Sequence, residues 1–204
     1  MGMALALHTI SDDNISKVLA DPPLIWRVIA PDDPEIYQQA RAEKQRQPGF
    51  LARLFGAKPV ETTTDVPDLS KSNGEGIETD LDKAWHGIHY LLTGTAWEGA
   101  EPLNFILCGG AEVGDIDVGY GPARVFPSED VKKIVAALGG LDDSALRERF
   151  NPDEMMSLEI YPEIWDRAPD DDDTLGYCIE YVADLRRFLS DAASNSMGVA
   201  LYIC

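Results

Sequence analysis

Cysteine is scarce and poorly spaced in this 204-residue chain. Cys108, Cys178 and Cys204 are odd in number, and no two lie close enough for a zinc or redox motif. That argues against a disulfide scaffold and fits the reduced thiols of a cytoplasm. Basic residues are also few: 17 Lys and Arg stand against 36 Asp and Glu, a formal charge of −19. A surface of that sign repels nucleic-acid backbone and anionic lipid, so neither is expected as a partner, whereas a basic protein is permitted. No apolar run is long enough to span a bilayer. The opening "MGMALALHTI" has no basic region and turns polar at His8 and Thr9, so no secretory leader is expected. Ala6 stands where a myristoylation pattern needs Ser or Thr.

The usual chemical motifs are missing too. There is no G-x-S-x-G elbow, and no cysteine has a local histidine partner. "GGAEVGDIDVGYG" is glycine-rich but lacks the Lys-Ser/Thr of a phosphate loop. Its Asp115 and Asp117 could in principle hold Mg²⁺ or Mn²⁺, but the stretch reads better as a solvated loop. "PDDDDT" lacks the glycine and terminal Glu of a calcium loop. Its acidic residues suit the start of the helix that follows. No cofactor is expected.

What remains is a chain with 45% hydrophobic residues, enough to bury a core within one domain spanning 1–204. "MALALHTI" and "MGVALYIC", at the two ends, are short continuous apolar runs and predict buried strands. Ser11 or Asp12 caps a helix ended by Pro22 and Pro23, and "LIWRVIA" continues as a second short one. "DPEIYQQARAEKQRQ" predicts a solvent-facing helix. The polar stretch 56–79 predicts a mobile loop, and about 31–79 as a whole reads as an insertion. "GAEPLNFILCGG" predicts a short buried helix and "ARVFP" a strand. Ser128 is expected to cap "EDVKKIVAAL", "DDSALRERF" follows as another helix, and "DTLGYCIEYVADLRRFLSDAA" is the longest. These elements predict an α+β fold: a small sheet including both terminal strands, packed against several helices.

Two of the three histidines fall in "DLDKAWHGIHYLLTG". On a helical wheel, Leu81, Ala84, Trp85, Ile88, Leu91 and Leu92 form the core stripe. Asp82, His86, His89 and Thr93 form a narrow polar ridge beside it, by their i, i+3 and i+4 spacing. His89 is expected half buried and His86 further out, in solvent. Asp82, His86 and His89 are weak metal candidates, because zinc pairs on helices commonly sit at i, i+4 and need further ligands from elsewhere. A basic, partly amphipathic stretch carries Arg41, Lys44, Arg46, Arg53 and Lys58, with Phe50, Leu51, Leu54 and Phe55 on its apolar side. It suits packing across the protein's own acidic surface, or docking to a membrane surface or partner groove.

"MGM", "DLDKAWHGIHYLLTG" and "LEIYPEIWDR" resemble the YfbM-like family of uncharacterised bacterial proteins. A pattern D-x-x-K-x-W-x-x-x-H-x-x-L-T-G maps onto Asp80, Lys83, Trp85, His89, Leu92, Thr93 and Gly94, followed by Ile160 to Pro162 and Trp165. The resemblance covers most of 1–30 and 80–204. It implies a compact α+β domain with no assigned reaction and no known cofactor. His86 lies outside the pattern, which weakens a metal pair. Two functional readings lead, ahead of a third, a metal-dependent hydrolase that would need an ion near His86 or Asp115. The first is a non-enzymatic binding or interaction protein, for instance an immunity-type protein holding a basic partner. The alternative is a small-molecule enzyme or sensor with a pocket of Trp85, His89, Thr93, Trp97 and Glu98, where His89 serves as acid–base and Thr93 as hydrogen-bond donor.

Overall fold

The computed structural model describes residues 2–46, 67, 69–168, 170 and 172–204. The terminal runs do form strands, β1 (Leu5–Ile10) and, last in the chain, β5 (Gly198–Ile203). They pair with each other antiparallel at the centre of a five-stranded sheet of order β2-β1-β5-β4-β3. β2 is Glu78–Asp80, β3 Ala111–Asp117 and β4 Pro122–Phe126. Every pairing is antiparallel.

Helices cover both faces of this sheet, which explains why β1 and β5 read as unbroken apolar runs rather than alternating ones. Leu5, Leu7, Phe126, Val199 and Leu201 enter the larger core, and Ile10, Val113, Ala123, Val125 and Ala200 the smaller. The smaller layer contains α1 (Asp12–Ala20), a 3-10 turn at Pro22–Ile25, α2 (Trp26–Ile29) and α3 (Pro34–Arg46). Ser11 caps α1 by accepting the Asn14 amide. α3 is polar as expected, yet Tyr37 is only 1% exposed and anchors it in the smaller core. The larger layer holds α4 (Trp85–Thr93), α5 (Ser128–Gly139), α6 (Asp143–Arg149), α7 (Pro152–Ser157) and α8 (Thr174–Ser194). Asp173 caps α8 through the Gly176 amide, the helix-start role expected of the acidic run.

Four local expectations need correction. The Asp115–Asp117 stretch is an edge strand, β3, not a loop; it needs only one side chain, Val113, fully buried, so it carries no strong apolar signal. Asp117 accepts the Gly119 and Gly121 amides and thereby closes the β3–β4 turn. The end of the polar 56–79 stretch is also ordered. Glu75 accepts from the Ser11 amide and hydroxyl, the Asn14 side-chain amide and the Ser72 amide, which delivers Glu78–Asp80 to the edge of β1. Ser128 does not cap α5. It is the first helical residue, and the Asp12 carboxylate caps the helix from α1 by accepting both its amide (2.8 Å) and its hydroxyl (2.7 Å). Finally, α7 arises from "PDEMMS", a helix beyond those expected, opened by Pro152 and capped by Asn151. Arg53, Lys58 and the apolar residues Phe50, Leu51, Leu54 and Phe55 lie outside the described residues.

Candidate functional site

The core stripe of α4 is as expected: Trp85, Ile88, Leu91 and Leu92 are buried, as are Leu81 and Ala84 just ahead of it. The polar ridge is not on the surface. His86 and His89 are both 0% exposed, which corrects the expectation of a solvated His86 and a half-buried His89. A wheel ranks positions within one helix but cannot see what lies over it. Here the covers are the 94–101 loop and the 160–165 segment.

His86 is held at both nitrogens by backbone. Its Nδ1 accepts the Tyr161 amide at 3.0 Å, and its Nε2 lies 2.7 Å from the Ala96 carbonyl. An amide can only donate and a carbonyl only accept, so His86 is neutral with its proton on Nε2. Its ring stacks on Trp85 (centroids 4.9 Å apart, 6° between planes) and meets Trp97 at 4.5 Å. Burial lowers its pKa, partly opposed by the Ala96 carbonyl. Both ring nitrogens are thus committed.

His89 differs. Neither of its nitrogens has a hydrogen-bond partner, although the ring is sealed. Burial pushes its pKa down to about 4; the Glu98 backbone, close to the ring but outside hydrogen-bond geometry, opposes this, and His86 and the Arg124 guanidinium push it further down. A neutral imidazole is the form this site favours at neutral pH.

Thr93 ends the ridge. Its hydroxyl bonds to the His89 carbonyl at 2.8 Å, reaches the Thr95 hydroxyl at 3.1 Å and accepts the Thr95 amide. Gly94 then takes φ +75°, and its amide reaches back to the Tyr90 carbonyl at 2.7 Å, a left-handed helix end. Gly99, at φ +125°, lies so close to Thr93 that an added Cβ would fall 2.6 Å from the Thr93 Cβ. Asn104 holds the Gly99 carbonyl at 2.9 Å, and the Cys108 thiol donates to the Trp97 carbonyl at 3.1 Å. The loop across α4 is therefore fastened along its length. It leaves Trp97 60% exposed, with Glu98 and Glu101 exposed beside it.

The other stretches that carry the sequence resemblance converge on the start of α4, around Trp85 to Gly87. Trp85 donates to the Met3 carbonyl, and the Met3 amide donates to the Tyr161 hydroxyl. Trp165 packs so tightly on Gly87 that a Cβ there would lie 2.3 Å from its ring. Asp82 is turned away, accepting the Tyr177 hydroxyl of α8 at 2.7 Å. Among the described residues, no three of His, Cys, Asp and Glu are grouped so as to hold a metal ion. Of the cysteines, Cys178 is buried and its thiol is pushed up to about 12, which leaves it inert.

Trp85, His86, His89, Thr93, Trp97 and the Glu98 backbone thus come together where the loop crosses α4, with His86 and Thr93 fastening the loop and His89 sealed beneath it. Sequence reasoning missed Tyr161, Gly99, Asn104 and Cys108 as their partners. "IYP" was visible as a motif, but nothing local tied it to a ring 75 positions away.

Comparison with known proteins agrees with the fold. A family described as a domain of unknown function, DUF1877, matches residues 1–202. The crystal structure of a protein of unknown function, YfbM from Escherichia coli, superposes with a TM-score of 0.61 at 16% identity. The match covers 98% of this chain and 99% of that one. No curated protein matches the chain.

Proposed function

Because the chain belongs to the DUF1877, YfbM-like family, for which no function is assigned, we propose from its own surface that it is a non-enzymatic binding protein for a basic protein partner. The observation that supports this reading is the excess of carboxylates left in solvent. Of the 32 acidic residues among those described, five form ion pairs: Glu129, Asp130, Asp143, Asp172 and Asp184. A field of one sign speeds encounter with an opposite charge and rejects nucleic acid. An immunity-type role, neutralising a basic toxin, is one concrete form of this reading. A cytoplasmic setting suits the three free thiols, and among the described residues no helix is long and apolar enough to cross a membrane.

The full chain, immobilised and exposed to extract, is expected to capture a basic protein. Repurified, that protein should bind one to one, with affinity that falls steeply as salt rises. Salt-insensitive binding, or no saturable basic partner, sinks the reading.

A second reading, a small-molecule ligand meeting His89, is supported by the two unpartnered ring nitrogens. It requires the loop over His89 to yield. Diethyl pyrocarbonate labelling tests this: modification of His89 in the native protein at neutral pH supports access, and a protected ring rules the reading out.

A further inference from the structure

We infer that the Trp97 loop is the docking surface for the basic partner, with the exposed indole and the carboxylates of Glu98 and Glu101 receiving an arginine side chain. This rests on the acidic-binding reading above and names where that binding happens.

Trp97, 60% exposed, is the most exposed of the large apolar side chains described. It is also not loose. Its inner side meets the fixed His86 ring, its carbonyl holds the Cys108 thiol, and the residues on either side are fastened through Ala96 to His86 and through Gly99 to Asn104 and Thr93. Rigid presentation lowers the ordering cost of binding, and tryptophan is the side chain most enriched among residues that dominate interfaces.

The neighbourhood supplies the charge. Glu98 and Glu101 are exposed on the same loop. Immediately beyond Cys108 lies a cavity of about 150 Å³ whose rim includes Glu101 and Asp130 and whose wall includes Phe105 and Phe126. Cys108 joins the two features, since it lines this cavity while bonded to Trp97. Lys133 also lines the cavity and feels the charge of Glu101, but its ion pair is with Asp130 at 2.7 Å, and neither Glu98 nor Glu101 is in an ion pair among the described residues. A guanidinium suits this arrangement because it stacks on an indole face and hydrogen-bonds carboxylates in one plane.

The test titrates the full chain with a short peptide alternating glycine and arginine, and with its lysine and neutral citrulline analogues, by calorimetry and tryptophan fluorescence. Arginine is expected to bind best and citrulline not at all. Trp97→Ala should weaken arginine binding about tenfold, Trp97→Phe should restore part of it, and Glu101→Gln should weaken it about threefold. Asp191→Asn with Glu148→Gln, which removes two exposed charges elsewhere, should change it by less than about twofold. If Trp97→Ala and Glu101→Gln do no more than that distant pair, the docking surface is wrong while the acidic-binding reading stands. If citrulline binds as well as arginine, or nothing binds, both fail. Concentration-dependent dimerisation abolished by Trp97→Ala would assign the surface to a second copy of this chain and overturn the inference. Unchanged circular dichroism of each variant secures the comparison.

Discussion

All three histidines of this chain are buried, and each has its pKa lowered first of all by that burial. The sharpest consequence is at His89. Its pKa is about 4 in the folded protein against a reference of 6.5. The folded value is the lower one, so the unfolded chain binds the extra proton. Stability from this group is therefore complete above pH 6.5 and is lost as pH falls toward 4. At 1.36 kcal/mol per pKa unit the full loss is about 3 kcal/mol, and about 2 kcal/mol of it falls between pH 7.5 and pH 5. Urea unfolding at a series of pH values measures this directly. Carboxylates titrate in the lower part of the same range, so the informative quantity is the difference between the native chain and His89→Leu. Leucine removes both unpartnered nitrogens and should be neutral or stabilising by about 1 kcal/mol at pH 7.5. The advantage of His89→Leu should then widen by about 2 kcal/mol at pH 5. Parallel curves for the two proteins would show that His89 is not the buried neutral base described.

Three further outcomes follow from single contacts. His86→Phe keeps the stack on Trp85 but leaves the Tyr161 amide and Ala96 carbonyl unpaired, and should cost about 2–4 kcal/mol by chemical denaturation. Gly87→Ala drives a methyl into Trp165 and should lower stability by about 2 kcal/mol or more, with a change in tryptophan fluorescence. Asp12→Ala removes the cap of α5 and should cost about 1–2 kcal/mol, whereas Asp12→Asn should retain part of it.

Legibility in the sequence depended on whether a residue's environment was set by its own element. β1, β5 and α8 were readable because their burial is continuous or periodic along the chain. β2 was not, because Glu78–Asp80 is polar throughout and is a strand only because Glu75 and β1 place it. β3 was missed for a related reason: as an edge strand it exposes Glu112, Asp115 and Asp117 and buries Val113 alone completely. The histidine ridge shows the same limit at the candidate site. The wheel grouped His86, His89 and Thr93 correctly on one side of α4. That His86 and Thr93 fasten a loop while His89 is sealed without a partner depends on Ala96, Gly99, Asn104 and Tyr161, whose approach is a matter of tertiary packing. Trp97 and Glu98, expected to line a pocket, are exposed on the loop instead.

The central claim is that a fastened loop presents Trp97 and its flanking carboxylates to a basic protein. Its most direct test is the dissociation constant of the purified, extract-captured partner for the native chain and for Trp97→Ala, each measured across a salt series. The account predicts one-to-one binding that weakens steeply with salt in the native chain, and at least about tenfold weaker binding to Trp97→Ala at low salt. Equal affinity of the two proteins at every salt concentration would contradict it.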